Sequence, residues 1–501
     1  MRLPFLQFTI ELVFQNVIAD VKQANATENS PDDAATVFFS AALAPPLELE
    51  QWLILMNAGV VHLSMLRCQQ YLIRSQQLHM ALSNLVRNFS RPATPTQSSV
   101  SITSEERNLV KDLRGILINL VSDLSALPDF QDYYPLDSPL IGSLRIWLTL
   151  EPPHLQLCAC IMLGNLARSD DVCWTMVHDF EVHRPLVEIL RSSDDSQVLH
   201  GATGFLKNLA LITPNKAALG EAGVVEVLVR LWAMETSPQI QYAGASLARQ
   251  VVSSSIENIE RLLTPLSLDP DSPAHSRTYL SLLLLLCEKS DQQPTKTEVA
   301  RTVTAICRGL NSPQTSMTAD ELGRLTDRLY ALHPDVAWSI TTMTGQKQWP
   351  VVRSEGWFAL ALMARSLEGS GLVNEVMTNP EVLRPLIEVL TGKSMSGQSD
   401  RDDIAGRSSP EAIPADEADK RVEMRRMDRE NALVLISKLL EHRVSQIRQT
   451  TLIIMRTTKQ MIPGNNDGNS KTSALRRSAC GKGARQLGFG QNIGGGKNSD
   501  S

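Results

Sequence analysis

Long hydrophobic runs are missing from this chain. The nearest, Leu280 to Cys287 (LSLLLLLC), falls far short of the about 18 to 20 apolar residues that carry a helix across a bilayer, so no transmembrane segment is expected. Aromatic residues are scarce, at 5%, while 43% of the chain is hydrophobic and Leu, Ala and Ile are abundant. That balance suits packed helices better than strands, which favour aromatic and β-branched residues. Cysteines are few and odd in number, seven among 501 residues. Zinc sites want CxxC-like pairs with a second pair or with histidines, and none occurs, so no metal is expected. Cys158 and Cys160 sit in an apolar helical pattern (CACIML), with Cys173 beyond, and read as buried reduced thiols of a cytoplasmic protein. The amino terminus (MRLPFLQFTIELVFQ) faintly resembles a signal peptide, but Glu11 interrupts it and no small-residue cleavage site follows.

Catalytic signatures are also missing. No GxSxG elbow appears, so an α/β-hydrolase nucleophile has no signature here. His178 and His183 (HDFEVH) do not make HExxH, and a loop or cap role is expected for them. In the terminal GFGQNIGGGKNSDS, Gln491 stands where a P-loop needs its first Gly and Asn498 where it needs Ser or Thr; no apolar strand precedes it. Asp194 and Asp195 lie in a polar turn (RSSDDSQ) and are expected to cap the next helix. Neither catalytic residues nor a cofactor are expected.

The formal net charge is -6. From Ile462 onward, Lys471, Arg476, Arg477, Lys482, Arg485 and Lys497 face Asp467 and Asp500, a surplus of four positive charges that leaves -10 on residues 1–461. An acidic body does not suit nucleic acid, but it could steer a basic partner.

What the chain does contain is repetition. RPLVEIL (Arg184 to Leu190) returns as RPLIEVL (Arg384 to Leu390), with GVVEVLVRLW (Gly223 to Trp232) a looser copy between them. The following segments also align. HLQLCACIMLGNLA starts at His154, QVLHGATGFLKNLA 43 residues later at Gln197, and QIQYAGASLARQVV 42 residues after that at Gln239. Later copies begin at Val351 (VVRSEGWFALALMA) and Arg429 (RENALVLISKLL). A period near 42 with helical apolar spacing predicts an all-α, right-handed superhelical solenoid of the armadillo/HEAT type. One repeat cannot bury its own apolar face, and stacking neighbours makes a continuous core. Gly201, Ala202, Gly204, Ala243, Gly244 and Ala245, inside the last helix of a repeat, are expected to let adjacent helices approach closely. Pro185 and Pro385 are expected in first helical turns, where the missing N–H is tolerated.

The solenoid is expected over 105–461, after a helical segment at 1–90 that is hard to place in register. Polar breaks fall at 91–104 and 264–276. A Gly/Ser/Asp-rich insertion spans 391–419, and 462–501 read as a disordered basic tail. Polar residues recur at matched sites of the repeated helix: Asn165 and Arg168, Lys207 and Asn208, Arg249 and Gln250; Glu355, elsewhere on a later copy, is a further groove candidate. Two readings stand side by side for them: contacts to a partner along the row, or a ladder that satisfies backbone groups between repeats.

The segments MLGNLARSDDVC (Met162 to Cys173), GFLKNLALITPNK (Gly204 to Lys216) and SPQIQYAGASLAR (Ser237 to Arg249) resemble the SmgGDS armadillo family, from about Leu109 to about Arg443. The resemblance implies a non-catalytic, cytoplasmic partner of small GTPases of the Rho and Rap type with basic, prenylated carboxy termini. It implies stimulated GDP release and an escort role. An acidic groove would suit such a tail, and a prenyl chain would need an apolar slot. The alternative is an armadillo scaffold or cargo adaptor that binds basic peptides without exchange activity. An importin-α-like WxxxN ladder is lacking, since Trp147, Trp174 and Trp232 have no Asn four residues on.

Overall fold

The computed structural model describes residues 60, 64, 66–74, 78, 104–150, 153–312, 317–392 and 422–443. The amino-terminal apolar stretch, nearly all of the polar break at 91–104, the insertion beyond Gly392 and the P-loop-like tail lie outside them. Glu441, His442 and Arg443 belong to a second unit that runs to Ser501; everything described before them belongs to the first.

The first unit is built from helices in groups of three. Helix α1 (Leu66–Arg74) is followed by α2 (Ser104–Asp123), α3 (Phe130–Tyr133), α4 (Pro139–Trp147) and α5 (Pro153–Leu166). Then come α6 (Asp170–His178), α7 (His183–Ser192) and α8 (Ser196–Leu209) as one triplet, and α9 (Thr213–Glu221), α10 (Val224–Trp232) and α11 (Pro238–Val252) as the next. The third is α12 (Ile256–Leu262), α13 (Tyr279–Lys289) and α14 (Gln293–Leu310); the fourth is α15 (Ala319–Leu332), α16 (Val336–Thr344) and α17 (Pro350–Met363). The fifth is α18 (Leu367–Met377), α19 (Pro380–Thr391) and α20 (422–440 within this unit).

Most helices pack on their counterparts one triplet away. The third helices stack in the order α2, α5, α8, α11, α14, α17, and the second helices as α7, α10, α13, α16, α19. Among the first helices, α6 packs on α9, α9 on α12, and α15 on α18. This is the stacked three-helix layering of an all-α armadillo-type solenoid, with one hydrophobic core running through it from Phe130 past Phe205, Leu247 and Ile306 to Trp357. The RPLVEIL, GVVEVLVRLW and RPLIEVL motifs all fall on second helices, and the aligned segments all fall on third helices.

Local chemistry sets the boundaries. Asp195 caps α8, its carboxylate accepting from the amides of Gln197 and Val198, as expected for that turn. Capping boxes start α13 at Thr278 and α15 at Thr318. Gly201 and Gly244 do allow close approach: an added Cβ would lie 3.3 Å from Cys160 and 3.1 Å from Leu231. Gly204 does not, because it faces open space. Pro185 lies in the first turn of α7, but Pro385 lies inside α19. That helix begins a turn earlier than expected, at Pro380, because the Asn379 side chain accepts from the Glu381 amide and caps it.

Candidate partner-binding surface

The third helices carry the candidate polar residues in one row, with Arg168 just past the end of α5, and the row has two different parts. In its first part, asparagines bind backbone. Nδ2 of Asn208 donates to the carbonyl of Gly164 at 3.0 Å. Nδ2 of Asn165 donates to Oγ of Ser125 at 3.1 Å, and Nη1 of Arg168 to the carbonyl of Ala126 at 3.3 Å. Gly164 stands within the last four residues of α5, where a carbonyl has no partner inside its own helix. Asn208 therefore closes the end of the preceding third helix. Asn431 repeats the motif, donating to Oγ of Ser354 at 2.9 Å. Asn165 and Asn208 thus make ladder bonds between repeats. Lys207 and Gln250 are half-buried, with no hydrogen bond or ion pair among the described residues.

In its second part the row carries alternating charge. Nε of Arg249 on α11 meets Glu298 of α14 at 2.7 Å. Glu298 also receives Arg301 at 3.5 Å, and Arg301 reaches Glu355 of α17 at 3.1 Å. Arg308 approaches the other oxygen of Glu355 at 3.7 Å. Arg353 then pairs with Asp428 of α20 at 2.7 Å. Burial raises the Asp428 carboxyl above the usual carboxylate range, although Arg353 pulls it down. Glu355 and Arg249, which stand at different positions of their repeats, are joined through Glu298 and Arg301.

Sequence reasoning missed a second ladder, on the first helices. Nδ2 of Asn215 donates to the carbonyls of Cys173 and Leu209, both at 2.9 Å. Asn258 does the same to Lys216 at 2.8 Å and Val251 at 3.2 Å. Leu209 and Val251 lie at the ends of α8 and α11, so each asparagine closes the third helix before it. The signal was available: Asn215 and Asn258 are spaced by one repeat. Between them, buried Lys216 donates to the carbonyl of Ser253. Burial, and then the nearby Arg249 charge, lower its ammonium to about 8.

The remaining candidates fall apart from the row. His178 ends α6 and stacks on Trp174, while His183 begins α7 and is buried, which lowers its pKa. Cys158, Cys160 and Cys173 are free and buried, and burial pushes the Cys158 thiol up to about 11. Among the described residues no group of three or more His, Cys, Asp or Glu could hold a metal ion, and no helix is long and apolar enough to cross a membrane.

No family model matches the chain. Curated relatives do. The chain is 28% identical to "Rap1 GTPase-GDP dissociation stimulator 1-B" of Xenopus laevis over 180 residues, 35% of this chain and 28% of that protein. It is 26% identical to "GTPase-GDP dissociation stimulator vimar" of Drosophila melanogaster over 146 residues, 28% of this chain and 22% of that one. Its curated relatives are GTPase–GDP dissociation stimulators. The matched stretch spans under a third of their length. Among solved structures, a designed armadillo repeat protein, YIII(Dq)4CqI, aligns with 59% of this chain and 98% of its own, at 16% identity and a TM-score of 0.41. An engineered protein, target OR497, aligns with 82% of this chain and 96% of its own, at 16% identity and a TM-score of 0.46. The fold assignment rests on the stacking described above.

Proposed function

We propose that this chain regulates small GTPases by binding them along its third-helix row and promoting release of GDP. The observation that carries this reading is the similarity to dissociation stimulators from two animals, in a chain built of stacked helical repeats. No reacting group is required of the chain. A partner that holds the nucleotide-free form more tightly than the GDP-bound form lowers GDP affinity by the same factor.

The partners in this reading are GTPases of the Rho and Rap type, including prenylated forms with basic tails, which the chain would escort in the cytoplasm. Burial of the five described free cysteines suits a reducing compartment. Arg168, Lys207, Arg249, Gln250 and Glu355 are the row residues with polar surface to offer. Asn165 and Asn208 act behind them by fixing the helices. A basic tail finds little counter-charge on the third helices from Pro153 to Met363, which carry Lys207, Arg249, Lys296, Arg301, Arg308 and Arg353 against Glu298 and Glu355. We place the attraction for such a tail on the first and second helices from Asp170 to Thr344, where acidic residues outnumber basic ones by eleven to eight.

Release of a fluorescent GDP analogue from purified Rho- and Rap-type GTPases, prenylated and unprenylated, tests the proposal. Acceleration with at least one of them is expected. No acceleration and no complex across the panel rejects it, and capture of basic peptides alone would favour a cargo adaptor.

A further inference from the structure

The charge on the third-helix row is layered as well as alternating. Glu298 lies beneath, with 6% of its side chain exposed, and Glu355 is exposed by 19%. The guanidiniums lie above them: Arg249 and Arg301 are exposed by 30% and 29%, and Arg308 by 54%. Each carboxylate fixes two guanidiniums, and each guanidinium has five N–H donors in a planar fork, of which the ion pairs use only part. The face shown to solvent is therefore cationic, in a body whose residues 1–461 carry -10. Lys207 extends it by one repeat toward the amino terminus.

We propose that this face is a docking site for an acidic, extended peptide segment of a partner protein. Three features favour that occupant. Pre-positioned guanidiniums match carboxylates in the fork-to-fork geometry that makes the stronger charge-assisted bonds. The carboxylates of Glu298 and Glu355 beneath hold the arginines in place, so less side-chain entropy is lost on binding. The spacing also suits a peptide: packed helices lie about 8–10 Å apart and an extended chain advances about 3.3 Å per residue, so an acidic side chain about every third residue meets successive rungs. A nucleic-acid strand is disfavoured, because a long polyanion would run out of the cationic strip and face the acidic body. The inference rests on the row's chemistry and stands apart from the GTPase reading.

The test is fluorescence anisotropy with the full chain and three labelled probes. One is a peptide of about twelve residues of repeating Glu-Ser-Gly, matched to four rungs. The others are its Lys-Ser-Gly counterpart and a thymidine oligonucleotide of equal length. The acidic peptide is expected to bind and the basic one not, with affinity falling as salt is raised. Lys207→Glu with Arg308→Glu alters one half-buried and one exposed side chain, so the helical circular dichroism and melting temperature serve as the folding control. This double variant is expected to weaken the acidic peptide by at least about tenfold. The proposal is overturned if the basic peptide or the oligonucleotide binds more tightly than the acidic peptide. It is equally overturned if none of them binds, or if a folded double variant holds the acidic peptide as well as the parent chain does.

Discussion

At the residue scale, the asparagines are what the repeats use to close helix ends. A carbonyl at a helix C-terminus has no partner inside its helix, and a buried one left alone costs about 1–3 kcal/mol. Asn208→Ala removes the donor to Gly164, and Asn258→Ala removes the donor to two carbonyls. Urea unfolding is expected to show a loss of about 1–3 kcal/mol for Asn258→Ala and less for half-exposed Asn208→Ala. Gly220 depends on the same ladder. A Cβ there would lie 1.8 Å from Oδ1 of Asn258, a side chain already held by two hydrogen bonds. Gly220→Ala is expected to cost about 1–3 kcal/mol. Combined with Asn258→Ala it should cost less than the two separate losses together, because the clash is gone.

His333 supplies a pH signature at the same scale. It is buried, and its ring Nε2 lies 3.1 Å from Oγ1 of Thr278. Burial lowers its pKa from 6.5 to about 4, with Asp335 opposing the shift. Between those values the unfolded chain binds the proton and the folded chain does not, so stability rises with pH across the window and falls as acid is added. Unfolding midpoints measured from pH 7 down to pH 4 are expected to decline less steeply in His333→Gln than in the parent chain.

At the element scale, the third helices were legible because their apolar spacing and small residues survive from copy to copy. The interval from Pro238 to Gln293 breaks that pattern. Residues 264–278 lengthen the connection from α12 to α13, so α14 starts 55 residues after α11 instead of about 42. A search at fixed period passes over α14, and with it Glu298 and Arg301, the two residues that link Arg249 to Glu355. The roles of Asn165 and Asn208 were equally out of reach, since a polar residue on an apolar helix reads the same whether it faces a partner or a neighbouring carbonyl. Pro385 shows a third limit. RPLVEIL and RPLIEVL are near-identical, yet the capping asparagine places the second proline inside its helix. There it lacks the N–H that would bond to the Glu381 carbonyl. Pro385→Ala is expected to raise the melting temperature, by the equivalent of about 1–3 kcal/mol. No rise would mean that the ring's packing outweighs the missing bond.

At the scale of the whole molecule, the stacking gives the chain a long row of side chains with fixed spacing and no need of a reactive group. Its core is continuous from α3 through α18, so a partner along several third helices meets a surface whose rungs are already positioned. Such a surface changes a partner's nucleotide affinity only by preferring one of its states. The most direct measurement is therefore the affinity of the chain for one Rho- or Rap-type GTPase in two forms, GDP-loaded and nucleotide-free, by calorimetry. Binding to the nucleotide-free form tighter by at least about tenfold is the predicted result. Equal affinity for the two forms would contradict the account, however tightly both bind.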